Sequence, residues 1–326
     1  MQHSPPMISV LTPVYNGERY LAECIESVRA QTLTDWEYII VDNCSEDGSA
    51  ELAERYAATD ERIRVVRSTE FVNVHRNFSR SARLMHPRSK YCKFLSADDW
   101  MYPECLAQMV SVAERNPTVG IVSSYHLEGS ELRHGGLVPY TDEVVPGAEV
   151  VRTALLDGVF VTGSPSQLLY RADLVRRTDP FFDQSYWHSD THAAYRTFSG
   201  CDLGFVHQVL TYTRLHPQAL TATTRRLNTY LPNEIRLRVQ FGRKVLTSGE
   251  YRKDILIFLG SYAWYILKQY LKPSRFNDVE FYAYHSEEIS RMLVEVGDDH
   301  ETRIALMCLY YLIQPGKLLA RIRRVT

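Results

Sequence analysis

The sequence predicts an α/β fold, a sheet with flanking helices, followed by a helical C-terminal appendage. Over the first 120 residues, short apolar runs rich in β-branched residues alternate with segments of helical periodicity. Strands that alternate with helices of this length pair in parallel through right-handed crossovers. Helical periodicity dominates from Thr229 onward. We therefore expect one domain over residues 1–225 and the appendage over residues 226–326.

The elements of the first domain follow in a regular order. Strands are predicted at residues 7–15, 36–43, 62–66, 90–96, 117–125 and 204–216. Helices are predicted at residues 17–32, 45–59, 77–86 and around 189–200, and an irregular or hairpin segment at residues 127–147. Ligands of such sheets bind at the carboxyl ends of the strands. Asp42 and the adjacent pair Asp98 and Asp99 fall at two of these ends.

Composition limits the class of protein. The chain has 326 residues, of which 45% are hydrophobic and 23% charged, as in an ordinary globular protein. No basic region followed by a long apolar stretch marks a signal peptide. The longest apolar stretches, residues 255–267 and 304–313, are shorter than the roughly 20 residues of a spanning helix. The six cysteines lack the paired spacing of zinc or redox sites. We therefore expect a cytoplasmic protein.

Positive charge is concentrated near the C-terminus. The net charge is −2, but residues 225–275 contain eleven Lys or Arg against three acids, and the tail is basic again. Such a region can bind an anionic membrane surface, or it can be the solvated face of ordinary helices. The apolar stripe formed by Ile255, Phe258, Leu259, Tyr262 and Ile266 can equally pack internally or form a homodimer contact. We expect no nucleic acid partner.

The first strand-to-helix turn, "TPVYNGERYL", contains a single glycine, Gly17. Dinucleotide-binding turns and P-loops need more glycines so that the backbone can contact phosphates. Pro13 and Tyr15 can form a rigid apolar wall for a flat base, with Thr12 and Glu18 as polar contacts. The same residues can also be an ordinary strand end.

The carboxylates at the next strand ends also allow two interpretations. Asp42 can accept a hydrogen bond from a base or a ribose, or it can belong to a simple capping loop before the next helix. One carboxylate of Asp98 and Asp99 would suffice as a helix cap before Pro103. Two adjacent like charges favour a divalent cation with oxygen ligands, Mg²⁺ or Mn²⁺.

Three further side chains are candidates for chemistry. Asp190 in "SDTHAAYR" can cap a helix, and the helix dipole would also keep it ionised, as a general base requires. Arg214 and His216 end a strand and lie on the same side by two-residue alternation. His216 can complete a metal or diphosphate site, although a single histidine is more often structural.

Five segments, in this order, resemble the inverting family 2 glycosyltransferases of GT-A fold over roughly residues 7–220: "ISVLTPVYNGERYLAECIESVRAQT", "EYIIVDNCSEDGS", "KYCKFLSADDWMYP", "SDTHAAYR" and "LTYTRLHPQALT". The resemblance implies a nucleotide-binding half at about residues 1–120 and an acceptor half at about residues 121–225. It implies a binding site for a nucleoside-diphosphate sugar that is made by Thr12, Pro13, Tyr15, Glu18, Asp42, Asn77, Ser96, Ala97, Asp98 and Arg214.

The family's D-x-D motif maps onto Ser96, Ala97 and Asp98, so the resemblance implies Asp98 as the metal ligand, with His216 beside it. Serine replaces the first acid of that motif. The family's Glu-Asp pair maps onto Ser189 and Asp190, which implies Asp190 as the catalytic base without its acidic neighbour. Asn77 stands where the family has an asparagine near the diphosphate.

The resemblance therefore implies a metal-dependent inverting glycosyltransferase of surface polysaccharide biosynthesis. The donor would be a UDP- or dTDP-sugar, and the acceptor a hydroxyl of a glycan or of a lipid-linked glycan. A nucleotidyltransferase and a non-catalytic nucleotide-sugar-binding subunit are the alternatives. Selectivity is expected to lie in residues 127–147 and near "TGSPSQ". Peripheral contact with the inner face of the membrane would suit a lipid-linked acceptor.

Overall fold

The computed structural model describes residues 4–133, 138–159, 162–216, 224, 226–272 and 278–314. The chain divides into two compact units, Met1–His216 and Pro217–Thr326. The basic tail discussed above lies outside the described residues. None of the helices in the described ranges has the length and apolar content that a membrane crossing requires.

The first unit is built on one sheet, and the α/β fold is confirmed. Its described strands are β1 (Ile8–Val14), β2 (Trp36–Asp42), β3 (Ile63–Arg67), β4 (Tyr91–Phe94), β5 (Trp100–Met101), β6 (Val119–Glu128), β7 (Glu131–Arg133), β8 (Val144–Val145), β9 (Leu169–Arg171) and β10 (Asp202–Thr213). Its described helices are α1 (Glu18–Arg29), α2 (Ser49–Ala57), α3 (Val74–Arg83), α4 (Cys105–Arg115), α5 (Gly147–Asp157), α6 (Ala172–Arg176) and α7 (Ser189–Phe198).

The strand order is β3-β2-β1-β4-β9-β6-β10-β5, with β7 paired to β6 and β8 paired to β10. The strands β3, β2, β1 and β4 pair in parallel, as the alternation of strands and helices predicts. The strand β9 lies antiparallel between β4 and β6, which was not predicted. Residues 127–147 contain the β6–β7 hairpin, which turns at Gly129 (φ 60°), and end where α5 begins.

Strand alternation divides the core into two layers. Val10 and Val14 of β1 pack in one apolar cluster with Leu21 and Ile25 of α1. Phe94 faces the other side of the sheet, where its ring centroid lies 4.9 Å from that of Phe182. The helix α3 begins at Val74, three residues before the prediction, because the Asn73 side chain accepts a hydrogen bond from the Arg76 amide and caps it.

The second unit is helical. Its described elements are α8 (Tyr230–Leu237), a π-helical turn (Arg238–Gly242), α9 (Arg243–Val245), α10 (Ser248–Tyr270), α11 (Val279–Glu295) and α12 (His300–Ile313). Thr247 and Glu250 form a capping box at the start of α10. The residues of the predicted stripe on α10 are buried, except Phe258, which is half-buried beside the Arg238 guanidinium.

Gly147 makes a close contact that only glycine allows. A Cβ atom at this position would lie 2.1 Å from the carbonyl oxygen of Cys201 and 2.4 Å from that of Phe198. The first turn of α5 therefore rests directly on the backbone that follows α7. We expect Gly147→Ala to lower the free energy of unfolding by roughly 1–3 kcal/mol through overpacking.

Gly200→Ala is the matched control, because a Cβ there meets no described atom within 4 Å. The control should stay within about 0.5 kcal/mol of the wild type in urea unfolding. Equal stability of the two variants would show that α5 does not depend on this contact.

Candidate functional site

The carboxyl ends of β1 and β2 form the first part of the site. The register pairs Val14 with Asp42, so the loops that follow the two strands lie side by side. The Asn16 side chain accepts a hydrogen bond from the Glu46 amide at 2.8 Å, and the Asn16 amide donates to Ser45 Oγ at 2.9 Å. The two loops therefore hold each other in place.

Asp42 and Tyr15 are the two residues in this part of the site that are suited to contact a ligand. Asp42 is buried; its Oδ2 accepts from the Ser45 amide at 3.2 Å, and its Oδ1 has no partner among the described residues. Tyr15 is 47% exposed, and its ring centroid lies 4.8 Å from that of Phe71. A sheet edge with an unsatisfied buried carboxylate oxygen and two exposed aromatic rings is suited to a flat base that carries an N–H group.

Two other residues of the predicted nucleotide site have hydrogen-bond partners within the protein, and a third is buried. The Thr12 hydroxyl lies in the core and accepts a hydrogen bond from Tyr38 at 2.9 Å, so its side chain faces away from the sheet edge. Pro13 is buried next to it. Glu18 is exposed, and its Oε2 accepts from the Gly48 amide at 3.1 Å. The proposed polar contacts of this turn therefore depend on Asp42 more than on Thr12.

The carboxylate pair forms the second part of the site. The two-residue strand β5 pairs antiparallel with β10, Tyr212 opposite Trp100. This pairing brings the residues before β5 next to those after β10. The Arg214 amide donates to Asp99 Oδ1 at 3.1 Å, and Arg214 Nε donates to the Asp98 carbonyl at 3.1 Å.

Asp98 and His216 meet at this point. His216 Nε2 lies 2.9 Å from Asp98 Oδ2, although 118 residues separate them in sequence. Asp98 is one-third exposed, whereas Asp99 is buried. The two adjacent carboxylates are thus divided: Asp98 faces outward with His216, and Asp99 faces inward to the Arg214 backbone and the Ser166 side chain.

Several residues that support this group were not predicted. Arg214 forms an ion pair with Glu23, and its guanidinium lies 4.6 Å from the centroid of the Tyr20 ring. Glu23 and Tyr20 are three residues apart on α1, so they face the same way; this spacing is the sequence signal that could have found them. Ser166 Oγ accepts from the Ser96 amide at 3.0 Å, and Gly17 packs against Ala97.

The predicted catalytic base, Asp190, lies near the start of helix α7. The helix α7 begins at Ser189 with His188 as its N-cap, so neither Ser189 nor Asp190 is the cap. Burial raises the pKa of the Asp190 carboxyl, while the Thr191 amide and the charge of His75 oppose the rise. His75 Nδ1 lies 2.7 Å from Ser189 Oγ. Helix α3 therefore holds the start of α7.

Asn77 lies on the same helix as His75. It is buried, and its Oδ1 has no partner among the described residues. A buried unsatisfied amide oxygen needs a physical explanation, and a ligand or an ordered water would supply one.

The comparisons with known proteins identify the family. The model of "Glycosyl transferase family 2" matches residues 9–177, just over half of the chain. The chain belongs to glycosyl transferase family 2. Residues 9–177 include all of β1 except its first residue, the strands β2 to β9, the carboxylate pair and Ser166, and they end before Asp190 and β10.

Curated relatives share the N-terminal part. The chain is 32% identical over 128 residues to the uncharacterized glycosyltransferase EpsJ of Bacillus subtilis. It is 36% identical over 117 residues to the putative teichuronic acid biosynthesis glycosyltransferase TuaG of the same species. These matches cover 39% and 36% of this chain and 36% and 46% of the relatives, so the chain spans less than half the length of each.

Solved structures confirm the GT-A type sheet with its flanking helices, followed by C-terminal helices. S. aureus TarS 1–349 in complex with UDP-GlcNAc superposes with a TM-score of 0.66 at 14% identity and covers 96% of this chain and 92% of that one. The mannosyltransferase PcManGT from Pyrobaculum calidifontis, in complex with GDP-Man and Mn²⁺, gives 0.57 at 17% identity, covering 95% and 86%.

Asp99 generates a prediction about stability. Burial and the neighbouring charge of Asp98 raise the pKa of the Asp99 carboxyl to about 7, against about 3.9 in an unfolded chain. At pH values between these two pKa values, the carboxyl has lost its proton in the unfolded state and keeps it in the folded state. The unfolded state then binds fewer protons, so this carboxyl lowers stability as pH rises through that window.

Asp99→Asn removes the titration and keeps an oxygen for the Arg214 amide. We expect the free energy of unfolding, wild type minus variant, to fall as the pH is raised from about 4 to about 7. Urea unfolding at several pH values in a chelating buffer measures the difference. A difference that does not change with pH would contradict the assignment.

Proposed function

We propose that this protein transfers a sugar from a nucleoside-diphosphate sugar to a hydroxyl of a glycan or lipid-linked acceptor, with inversion at the anomeric carbon. The observation that carries the proposal is the 2.9 Å contact between Asp98 and His216 at the sheet edge that also bears Asp42. Family membership supports the reaction class. The relative named for teichuronic acid biosynthesis supports a role in surface polysaccharide synthesis.

The donor's base would lie against Tyr15 and Phe71, with Asp42 Oδ1 accepting a hydrogen bond from a base N–H or a ribose hydroxyl. TarS was solved with UDP-GlcNAc and PcManGT with GDP-Man, so nucleotide sugars of both kinds occur on this fold. We infer UDP or dTDP, because a single unsatisfied carboxylate oxygen suits the single N–H of a uracil or thymine ring.

The side chains near Asp98 are suited to a divalent cation that the protein and the donor diphosphate would bind together. In the described part of the chain, no cluster of three or more His, Cys, Asp or Glu side chains forms a metal cage. Asp98 and His216 offer two donor atoms, one carboxylate oxygen and one imidazole nitrogen. Mg²⁺ in phosphate sites commonly takes one or two protein carboxylates and fills its other positions with phosphate oxygens and water. We therefore propose Mn²⁺ or Mg²⁺ at Asp98 and His216.

The charges of the site are suited to the departure of a diphosphate. A cation at Asp98 would neutralise negative charge on the leaving group. Arg214 adds a positive charge beside it and is held there by Glu23 and the Asp98 carbonyl. Asp190, whose raised pKa makes it a better proton acceptor than an ordinary aspartate, would take the proton of the acceptor hydroxyl.

Two alternatives use the same pocket. A nucleotidyltransferase would release inorganic diphosphate rather than a nucleoside diphosphate, and a binding subunit would release neither. Analysis of the products after incubation with UDP-, dTDP- and GDP-linked sugars distinguishes the three. Contact with an anionic membrane surface or with a second copy stays a prediction for the helical unit.

The first functional prediction concerns Asp98. Asp98→Ala should abolish the part of UDP or dTDP binding that depends on MnCl₂ and leave the thermal transition of the ligand-free protein unchanged. Calorimetry with and without MnCl₂ measures the effect. Asp35→Ala, at the exposed residue before β2 and hence at the opposite sheet edge, is the control and should bind as the wild type does. An unchanged affinity of Asp98→Ala with MnCl₂ present would exclude the proposed metal site.

The second prediction concerns Asp190. Asp190→Asn keeps the shape but cannot accept a proton, so turnover should fall about 10²- to 10⁴-fold while donor affinity stays unchanged. Because burial raises the pKa of Asp190, wild-type kcat/KM should decline on acidification at a pH above the ordinary aspartate range. Steady-state kinetics over pH tests both points, and near-normal turnover of the variant would leave Asp190 with a structural role only.

A further inference from the structure

A cavity lined mainly by polar and charged residues lies further along the sheet edge from the carboxylate pair. It has a volume of about 260 Å³. The β6–β7 hairpin contributes His126, Glu128 and Arg133, and the segment before β9 and the end of β10 contribute Ser164, Gln167 and Thr213. Ligand pockets usually measure about 300–1,000 Å³. The cavity therefore suits a single ring rather than a whole nucleoside diphosphate.

Two residues that line this cavity carry a buried polar atom with no hydrogen-bond partner in the described part of the chain. Ser164 Oγ and Gln167 Oε1 have no hydrogen-bond partner among the described residues. Gln167 is 1% exposed, and its Nε2 donates to Thr213 Oγ1 at 2.5 Å, which fixes the amide. Leaving a buried polar atom unsatisfied is unfavourable, and a hydrogen-bonding ligand would remove that penalty.

Gly163 is what allows the Gln167 amide to occupy this position. A Cβ atom on residue 163 would lie 2.4 Å from Gln167 Oε1, and the φ angle of Gly163 is 55°. The backbone thus makes room for a polar atom that bonds to nothing else in the described chain.

The other side chains that line the cavity can form hydrogen bonds with hydroxyl groups of a ligand. Arg133 Nε donates to Glu128 Oε2 at 2.8 Å, so a charged donor and a charged acceptor lie side by side. Burial lowers the pKa of His126 to about 4, so its ring is neutral at pH 7 and offers one donor and one acceptor. A ligand that both donates and accepts at several neighbouring atoms satisfies these groups, and a sugar ring has that pattern.

The cavity shares its framework with the carboxylate pair. Ser166, between Ser164 and Gln167, accepts from the Ser96 amide through its Oγ at 3.0 Å. Its carbonyl accepts from the Nζ of the fully buried Lys93 at 2.7 Å. Thr213 directly precedes Arg214, whose amide bonds to Asp99. The cavity is therefore fixed relative to the point where the donor diphosphate is proposed to lie.

We propose that this cavity is a sugar-ring subsite in which Gln167 and Ser164 hydrogen-bond to ring hydroxyls. The inference rests on the proposed function, and the ring is either the sugar of the donor or a terminal sugar of the acceptor. Both sources present the same hydroxyl chemistry. A site that pairs buried polar groups with hydroxyls discriminates strongly against analogues that lack them.

The donor source is tested by calorimetry with MnCl₂. Gln167→Met and Ser164→Ala remove the two polar atoms at nearly constant shape. If the ring is the donor's, each variant weakens binding of UDP-, dTDP- or GDP-linked sugars by about 3- to 10-fold and leaves binding of the free nucleoside diphosphates unchanged. Gln108→Met on α4 is the matched control and binds both as the wild type does. Thermal transitions verify that all variants are folded.

The acceptor source is tested by saturation-transfer NMR with methyl glycosides of glucose, galactose, mannose and N-acetylglucosamine, with and without UDP and MnCl₂. A glycoside signal present in wild type and Gln108→Met but lost in Gln167→Met assigns the ring to the acceptor. Wild-type behaviour of both cavity variants in both measurements overturns the subsite. If the wild type binds neither nucleotides nor nucleotide sugars, the proposed function is overturned instead. The cavity can still be tested in that case, because the glycoside measurement is also made without nucleotide.

Discussion

Two adjacent carboxylates at the buried end of β4 impose the constraint on which the rest of the site depends. Like charges so close together destabilise each other, and burial strengthens the effect. The structure separates their environments: Asp99 bonds to the Arg214 amide, and Asp98 turns outward to His216. This separation requires the end of β10 to lie beside the loop after β4, and the short β5–β10 pairing holds it there.

The segment before β9 also helps to hold the two carboxylates in their separate environments. Ser166 contacts both the Ser96 amide and Asp99, and Lys93 holds the Ser166 carbonyl from inside the sheet. Burial lowers the pKa of the Lys93 ammonium, while the negative charge of Asp99 opposes that shift. A buried lysine is therefore stable here because it bonds to a carbonyl and lies near an acid. The carboxylate pair and the proposed sugar cavity consequently depend on one network.

Much of the first unit could be predicted from sequence because its signals are local. Alternating apolar runs and amphipathic segments specify β1 to β4 and the helices between them. The antiparallel β9 escaped prediction because three residues carry no usable periodicity and its direction is set by tertiary pairing. Motif spacing located Asp98 and His216, yet it could not show that Thr12 faces the core. Lys93 in "KYCKFLS" is a charged residue inside a predicted buried strand, and this pattern could have indicated the buried polar network.

The excess of basic residues over residues 225–275 is partly balanced, because several of its arginines pair with acids beyond residue 275. Arg236 bonds to Glu288 and Glu295, and Arg238 bonds to Glu234 and Asp254. Arg226, Arg243 and Arg252 pair with acids beyond residue 275 as well. The ion pairs of the buried Arg236 and Arg238 fix the packing more than they add stability. Among the described residues, a membrane interpretation therefore depends on lysines such as Lys253 and Lys268 and on the exposed Trp264 and Leu267 of α10, rather than on the total basic charge.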